Sequence, residues 1–171
     1  YNIEANYKYQ ITTALLAGSV TALETLDIWR RCARHAAPLR TIRLIDDTGR
    51  LVRAPEVKFE SGEIGLDAFG WNIENRHLIA ALNTRAHELS SLTMIDAHVD
   101  SVESRTDDVI VRYNGESITA PLVIGADGRK SMCRAAADIE IETRSYPQLA
   151  LTLSFAHNRP HRETSTEFHT A

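Results

Sequence analysis

The chain has 171 residues, 19 Lys and Arg against 23 Asp and Glu for a formal net charge of −4, and 43% hydrophobic against 25% charged residues. These are ordinary globular values, which exclude a disordered or low-complexity polypeptide, and the length suits one domain or two smaller pieces. Mild acidity without a dominant basic stripe excludes a dedicated nucleic-acid binder, and no apolar run approaches the roughly 18 residues of a membrane span.

Residues 1–10, YNIEANYKYQ, are polar-aromatic, without a period and without a signal-peptide core. From Thr12 to Ala36 the spacing of Leu15, Leu16, Val20, Leu23, Leu26 and Trp29 predicts helix. Gly18 and Ser19 are expected to interrupt it, with Ser19 capping a second helix, and Pro38 to end it. Thr41 to Asp46 alternates and predicts a strand. Asp47-Thr48-Gly49 signals a turn, and Arg50 to Val57 is the expected return strand, with Pro55 marking a sheet edge. Ser61 to Gly70 is glycine-rich and predicts a loop, with a short extended piece at Leu66 to Phe69. Trp71 and Phe69 read as core aromatics sooner than as a pocket wall.

Asn75 to Leu89 is the clearest predicted helix. Asn75 stands at its N-cap, Leu78, Ala81, Leu82, Ala86 and Leu89 share one face, and Arg85 and Glu88 look outward. Leu92 to Ala97 is expected to be a short strand. Val99 to Arg105 and Val109 to Tyr113 face each other across Thr106-Asp107-Asp108. Asn114-Gly115 signals a type I′ turn into the next strand, Ser117 to Ile124. Its end, Leu122-Val123-Ile124, is apolar without alternation and predicts a strand buried on both faces.

Gly125-Ala126-Asp127-Gly128-Arg129-Lys130-Ser131 follows, and then a short predicted helix, Ser131 to Ala137. Glycines let the backbone turn and let a ligand approach it. A carboxylate at a strand's carboxyl end can accept from sugar hydroxyls, and N–H groups at a helix start can hold a phosphate. The plain alternative is a tight Asp-Gly turn with a helix cap. Two lone cysteines, Cys32 and Cys133, have no Cys-x-x-Cys spacing and suit a reducing compartment, with a single disulfide left open. His157 and His161 stand four apart, but Pro160 lies between them and no metal set is expected. Nor is there a Gly-x-Ser-x-Gly or His-Glu-x-x-His motif, so no catalytic side chain is named.

The longer string G-A-D-G-x-x-S-x-x-R, on Gly125, Ala126, Asp127, Gly128, Ser131 and Arg134, resembles a fingerprint of the flavin-dependent aromatic hydroxylases of the para-hydroxybenzoate hydroxylase type. Within them the chain is most similar to the ubiquinone-biosynthesis hydroxylases, the polyprenyl-phenol monooxygenases. Thr12-Thr13-Ala14-Leu15-Leu16 with Leu23-Glu24-x-Leu26-Asp27-Ile28-Trp29 looks like the family's helix after its first nucleotide-binding unit. Glu74-Asn75-Arg76-x-Leu78-x-x-Ala81-Leu82 looks like the opening of a flavin-domain helix. Tyr146-Pro147-Gln148, Asn158-Arg159-Pro160-His161 and Glu167-Phe168 look like early substrate-domain strands.

The resemblance implies a mixed α/β fold: a partial FAD/NAD(P)-binding domain with a mixed sheet, plus antiparallel strands of a substrate domain. Residues 1–37 and 71–137 would be flavin-domain parts, and residues 38–70 and 138–171 substrate-domain parts. It implies FAD as cofactor, NAD(P)H as co-substrate, and a phenolic or polyprenyl-phenol substrate. Cofactor contacts would come from Gly125, Asp127 and Gly128, then Arg76, Ser131 and Arg134. For Arg76 and Arg134 the plain alternative is a helix-surface charge, and for Ser131 an N-cap. A cytoplasmic location is implied, with peripheral contact to the inner membrane through a polyprenyl substrate, although no basic amphipathic helix is visible.

The chain departs from the family pattern at three points. It has no G-x-G-x-x-G unit, it ends before the family's later Gly-Asp motif, and Ile11 stands where the family usually has an arginine. It therefore looks like the middle of a hydroxylase and is expected, alone, to bind FAD weakly or not at all. Two other readings stay open: a non-catalytic α+β interaction module, and a related flavin enzyme with another substrate, such as a halogenase or a geranylgeranyl reductase.

Overall fold

The structure, a computed structural model, describes residues 11–151, 153 and 155–170. The polar opening, residues 1–10, lies outside the described residues. The fold is mixed α/β, with three three-stranded sheets among the described residues, and contacts divide the chain into two compact units.

The larger unit takes the described residues up to Leu92 and those from Leu151. It contains β1 (Thr12–Leu16), α1 (Ala17–Thr25), α2 (Trp29–Cys32), β2 (Ala36–Leu39), β3 (Thr41–Asp46), β4 (Val57–Glu60), β5 (Gly70–Glu74), α3 (Asn75–Glu88) and a final strand, Thr164–His169. β5 lies between β1 and β2 and is antiparallel to both. Thr12–Leu16 is thus strand, not helix. The helical spacing runs across a strand–helix junction, and pairing of β-branched Thr12 and Thr13 with Glu74 and Ile73 overrides it. Ser19 sits inside α1, Leu16 is its N-cap, and Gly18 does not break it. The break comes later, at Asp27, whose φ of 61° turns the chain between the helices. Pro38 lies in β2, opposite Trp71, on an edge strand where a missing N–H is tolerated.

The core of this unit is Ile28, Cys32, Ile73 and Ala81, with Leu15, Leu23, Trp29, Ala36 and Leu78 packed against it. Trp71 meets Trp29 edge to face at 5.8 Å. α3 turns the predicted Leu78 and Ala81 inward, whereas Leu82 and Leu89 stay exposed. Its N-cap is Glu74, not Asn75, whose carboxamide oxygen instead accepts from the Thr13 hydroxyl. Arg31 grips Glu88 through two hydrogen bonds of 2.7 and 2.8 Å and Asp27 at 2.9 Å, tying the α1–α2 turn to the end of α3. Asp27 is held well below the usual carboxylate range, by Arg30 first and then Arg31.

A second sheet in this unit has the order β4, β3 and Thr164–His169, antiparallel on one side and parallel on the other. The return strand is Val57–Glu60 rather than Arg50–Val57. The Asp46 carboxylate takes the Thr48 and Ala54 N–H groups at 3.1 and 2.8 Å, and Pro55 has none to offer. Residues 50–56 therefore curl instead of pairing. Leu66 to Phe69 is irregular, without the expected extended piece.

The smaller unit, residues 93–150, holds β6 (Val99–Ser104), β7 (Val109–Tyr113), β8 (Glu116–Ala120) and α4 (Met132–Ala136). With these placed, Thr164–His169 is β9. β6, β7 and β8 form the expected meander. Asn114 and Gly115 have φ of 47° and 81°, the paired positive values a type I′ turn demands. Two expected strands are absent. Leu92–Ala97 is irregular, and so is Leu122-Val123-Ile124, with Leu122 72% and Ile124 81% exposed. An apolar run states a preference for burial, but a strand also needs a neighbour for its N–H and C=O groups. Among the described residues nothing pairs with either segment.

Ile73 is 1% exposed at the centre of the β1–β5–β2 sheet. Ile73→Ala is expected to cost about 2–5 kcal/mol through lost burial and a residual cavity. A urea unfolding curve with the midpoint lowered and the slope kept is the check.

Candidate functional site

The chain leaves β8 at Ala120 and reaches α4 through the turn predicted to carry the chemistry. Asp127 organises that turn. Its Oδ1 accepts from the Ser131 hydroxyl at 2.6 Å, and its Oδ2 from the Met132 and Cys133 N–H groups at 2.6 and 3.1 Å. Ser131 is the N-cap of α4, and its Oγ accepts from the Arg134 N–H at 3.0 Å. The leading donors of this helix are thereby taken by two side chains. A phosphate at this helix start would have to displace Asp127.

These bonds hold the Asp127 carboxyl down at about 2, with the Ser131 hydroxyl the largest cause and the Cys133 N–H next. An ionised carboxylate has about four acceptor positions. Three are used, which leaves one for a hydroxyl of a ligand. Close by, desolvation first and then the Asp127 charge push the Cys133 thiol upward.

Both glycines are required by the backbone around Asp127. A Cβ on Gly125 would fall 2.6 Å from Cys133 Cβ, so the turn lies against α4 at a distance only glycine permits. Gly128 has φ +82°, the left-handed region that carries the chain round the carboxylate. Arg134 donates from Nη2 to the Arg129 carbonyl at 3.0 Å, bracing the turn from the helix.

A cavity of about 970 Å³ opens beside this turn, wholly within the smaller unit. Val99, Val102, Val111 and Val123 give it apolar walls, and Asp127, Gly128, Arg129 and Lys130 give it a polar rim. Apolar walls with two cations and one carboxylate suit a ligand that combines an apolar ring, hydroxyls and phosphate. Of the six residues named from sequence, Asp127 and Gly128 line the cavity, while Gly125, Ser131 and Arg134 shape the turn behind it. Arg76 belongs to the larger unit, where it pairs with Glu74 at 2.6 Å, the surface pairing that was its plain alternative. Sequence reading passed over Arg129 and Lys130, although two adjacent cations beside a helix start are a visible signal.

Among the described residues no group of three or more His, Cys, Asp or Glu side chains could hold a metal ion. His157 and His161 meet edge to face at 5.7 Å. Both cysteines are free. Among the described residues no helix is long and apolar enough to cross a membrane.

The family described as FAD binding domain matches residues 9–170. The chain is 31% identical to a protein of Rhodospirillum rubrum named ubiquinone hydroxylase UbiL, over 85% of the chain and 33% of that protein. It is 30% identical to the 3-demethoxyubiquinol 3-hydroxylase of Escherichia coli, over 91% of the chain and 40% of that protein. The chain thus spans a third to two-fifths of the length of these curated relatives. Among solved structures, p-nitrophenol 4-monooxygenase PnpA from Pseudomonas putida aligns with a TM-score of 0.65 at 14% identity, over 81% of this chain and 36% of that one. HpxO of Klebsiella pneumoniae, solved with FAD and uric acid, aligns at 0.54 and 18% identity, over 74% and 32%. At these identities the structural matches speak for the fold alone.

Two expectations follow from the turn. The Asp127 carboxyl lies below its ordinary value of 3.8, so its stabilising bonds are fully present above about pH 4 and fade as the pH falls toward about 2. Ser131→Ala removes the largest cause and is expected to raise the Asp127 midpoint, read by carbon-detected NMR of the side-chain carboxyl. Gly125→Ala forces a methyl into Cys133 and is expected to cost roughly 1–3 kcal/mol, as overpacking does. Thermal unfolding measures it.

Proposed function

This chain belongs to the FAD-binding domain family, and from that premise we propose that it forms part of an FAD-dependent monooxygenase that hydroxylates an aromatic ring in ubiquinone biosynthesis, with NAD(P)H and O2 as co-substrates. The observation that carries the reading is the family match across residues 9–170, joined to two curated relatives named ubiquinone hydroxylase and 3-demethoxyubiquinol 3-hydroxylase.

The flavin, when bound, supplies the activation of dioxygen for transfer of one oxygen atom to a phenol ring. The residues present fit such a group. Asp127 has one acceptor position left for a ribityl or ribose hydroxyl, Arg129 and Lys130 offer charge to a pyrophosphate, and the valine walls exclude water from an apolar face. Gly125, Ser131 and Arg134 keep the carboxylate in place rather than touching the ligand. Arg76 would reach the flavin only by exchanging Glu74 for it.

The division into flavin-domain parts (residues 1–37 and 71–137) and substrate-domain parts (38–70 and 138–171) belongs to the same proposal. The parallel pairing of β3 with β9 supports the second grouping, because it joins Thr41–Asp46 and Thr164–His169 in one sheet. The relatives' names support a phenolic ring as the substrate, and the proposal adds a polyprenyl tail to it. A tail of that kind calls for a cytoplasmic protein in peripheral contact with a membrane.

The full-length protein should purify yellow, with a flavin absorbance spectrum, and should consume oxygen with NAD(P)H when a polyprenylphenol is added. A colourless protein that neither binds FAD nor consumes oxygen would sink the reading. Asp127→Asn keeps an acceptor for the helix cap but removes the charge. In the full-length protein it is expected to weaken FAD binding about tenfold, the loss of one charge-assisted hydrogen bond. Fluorescence titration with FAD reads the affinity, and an unchanged circular dichroism spectrum separates it from unfolding.

A further inference from the structure

We propose that the cavity between the turn Ala33–His35 and α3 is a binding site for a phosphate-type dianion, held by Arg34, His35 and His77. It lies wholly within the larger unit and has a volume of about 350 Å³. That is room for a tetrahedral oxyanion with part of its water, given roughly 30 Å³ per liquid water. Its polar lining is Arg31, Arg34, His35, His77 and Thr84, with no carboxylate among the lining residues.

The donors there are not equally available. Arg31 is neutralised by Asp27 and Glu88. Thr84 spends its hydroxyl proton on the Ala80 carbonyl at 2.9 Å. Arg34 is different: its Nε donates to His35 Nε2 at 3.1 Å, and its two Nη groups meet no acceptor among the described residues. Because His35 Nε2 accepts, the neutral ring carries its proton on Nδ1. The His35 and His77 rings lie face to face, 3.7 Å apart and 3° from parallel.

The Arg34 guanidinium sets a positive potential at the stacked imidazoles, and no carboxylate lines the cavity to oppose it. The groups facing His35 are Arg34 on its own turn, His77 and Arg76 on α3, and Glu74 on β5. Desolvation first, then the His77, Arg34 and Arg76 charges hold His35 below the ordinary histidine value, and Glu74 offsets them only in part. Arg76 is itself paired with Glu74. An anion between Arg34 and the ring pair supplies the missing negative charge. A phosphate dianion suits it, because its oxygens accept from guanidinium and imidazole N–H groups together. This inference does not rest on the flavin reading.

The test is histidine ring NMR on the purified protein, titrated with inorganic phosphate against sodium chloride at matched ionic strength. The His35 and His77 ring signals are expected to move saturably with phosphate and not with chloride. His35 should titrate about 1 or more higher on the pH scale, as beside an opposite charge, while His157 stays still. Arg34 is exposed, so Arg34→Gln should fold, and it is expected to weaken the response about tenfold. His77→Gln, which removes the second ring, should weaken it too. No response of His35 and His77 beyond the chloride control, or an unchanged response in Arg34→Gln, overturns the proposal.

Discussion

The Asp127 carboxylate accepts from the Ser131 hydroxyl and from two N–H groups of α4, and the turn from Gly125 to Lys130 is wound around it. Removing it would leave a helix start, a serine and two glycines without the partner that sets their positions. The cap binds α4 to the turn, Ser131 and Arg134 reinforce it from the helix side, and the closeness of Gly125 to Cys133 follows from it. A cation-bearing rim then falls beside valines of the meander, and the result is a cavity with both a wet and a dry side. The structural role leaves room for a ligand-binding one, because the ionised carboxylate offers more acceptor positions than the helix consumes.

The larger unit uses the same economy with the charges reversed. There Arg31 is the hub, holding Asp27 at the turn between α1 and α2 and Glu88 at the end of α3. Beneath it Cys32, Ile28, Ile73 and Ala81 close the core against the sheet centred on β5. Spending Arg31 in this way leaves Arg34, beside the His35–His77 stack, as the cation without a matching carboxylate in the neighbouring cavity. In both units the groups available to a ligand are those that the local ion pairs and caps have not consumed.

Much of this was legible in residue order. The meander, its Asn114-Gly115 turn and the helix after Ser131 depend on neighbours only a few positions away, and local chemistry settles them. The long helix at Asn75–Glu88 was visible for the same reason. What misled was pattern that a distant partner overrules. Leu15, Leu16 and Val20 have helical spacing, yet β1 is a strand because β5, more than fifty residues away, offers it a ladder. Arg50–Val57 follows the Asp47-Thr48-Gly49 turn signal as a return strand would, but Asp46 captures the Ala54 N–H and the pairing starts at Val57. Leu122–Ile124 has the composition of a buried strand and lies open, since composition supplies no partner. Of the named site residues, those within ten positions of one another came together in space. Arg76 was tied to them by resemblance alone and belongs to the other unit, paired with Glu74.

The sequence by itself determined the chemical vocabulary: a mixed α/β chain, the glycine–aspartate turn before a short helix, and through that string the flavoprotein family. It could do so because turn geometry and helix capping are decided by residues one to six positions apart. Tertiary structure alone decided which side chains were left over for a ligand. Asp127 proved to be a cap with one acceptor to spare, Arg129 and Lys130 joined it on the cavity rim, and Arg31 was spent where Arg34 was not. That outcome depends on distances between groups far apart in the chain, and those distances exist only once strands and helices have packed.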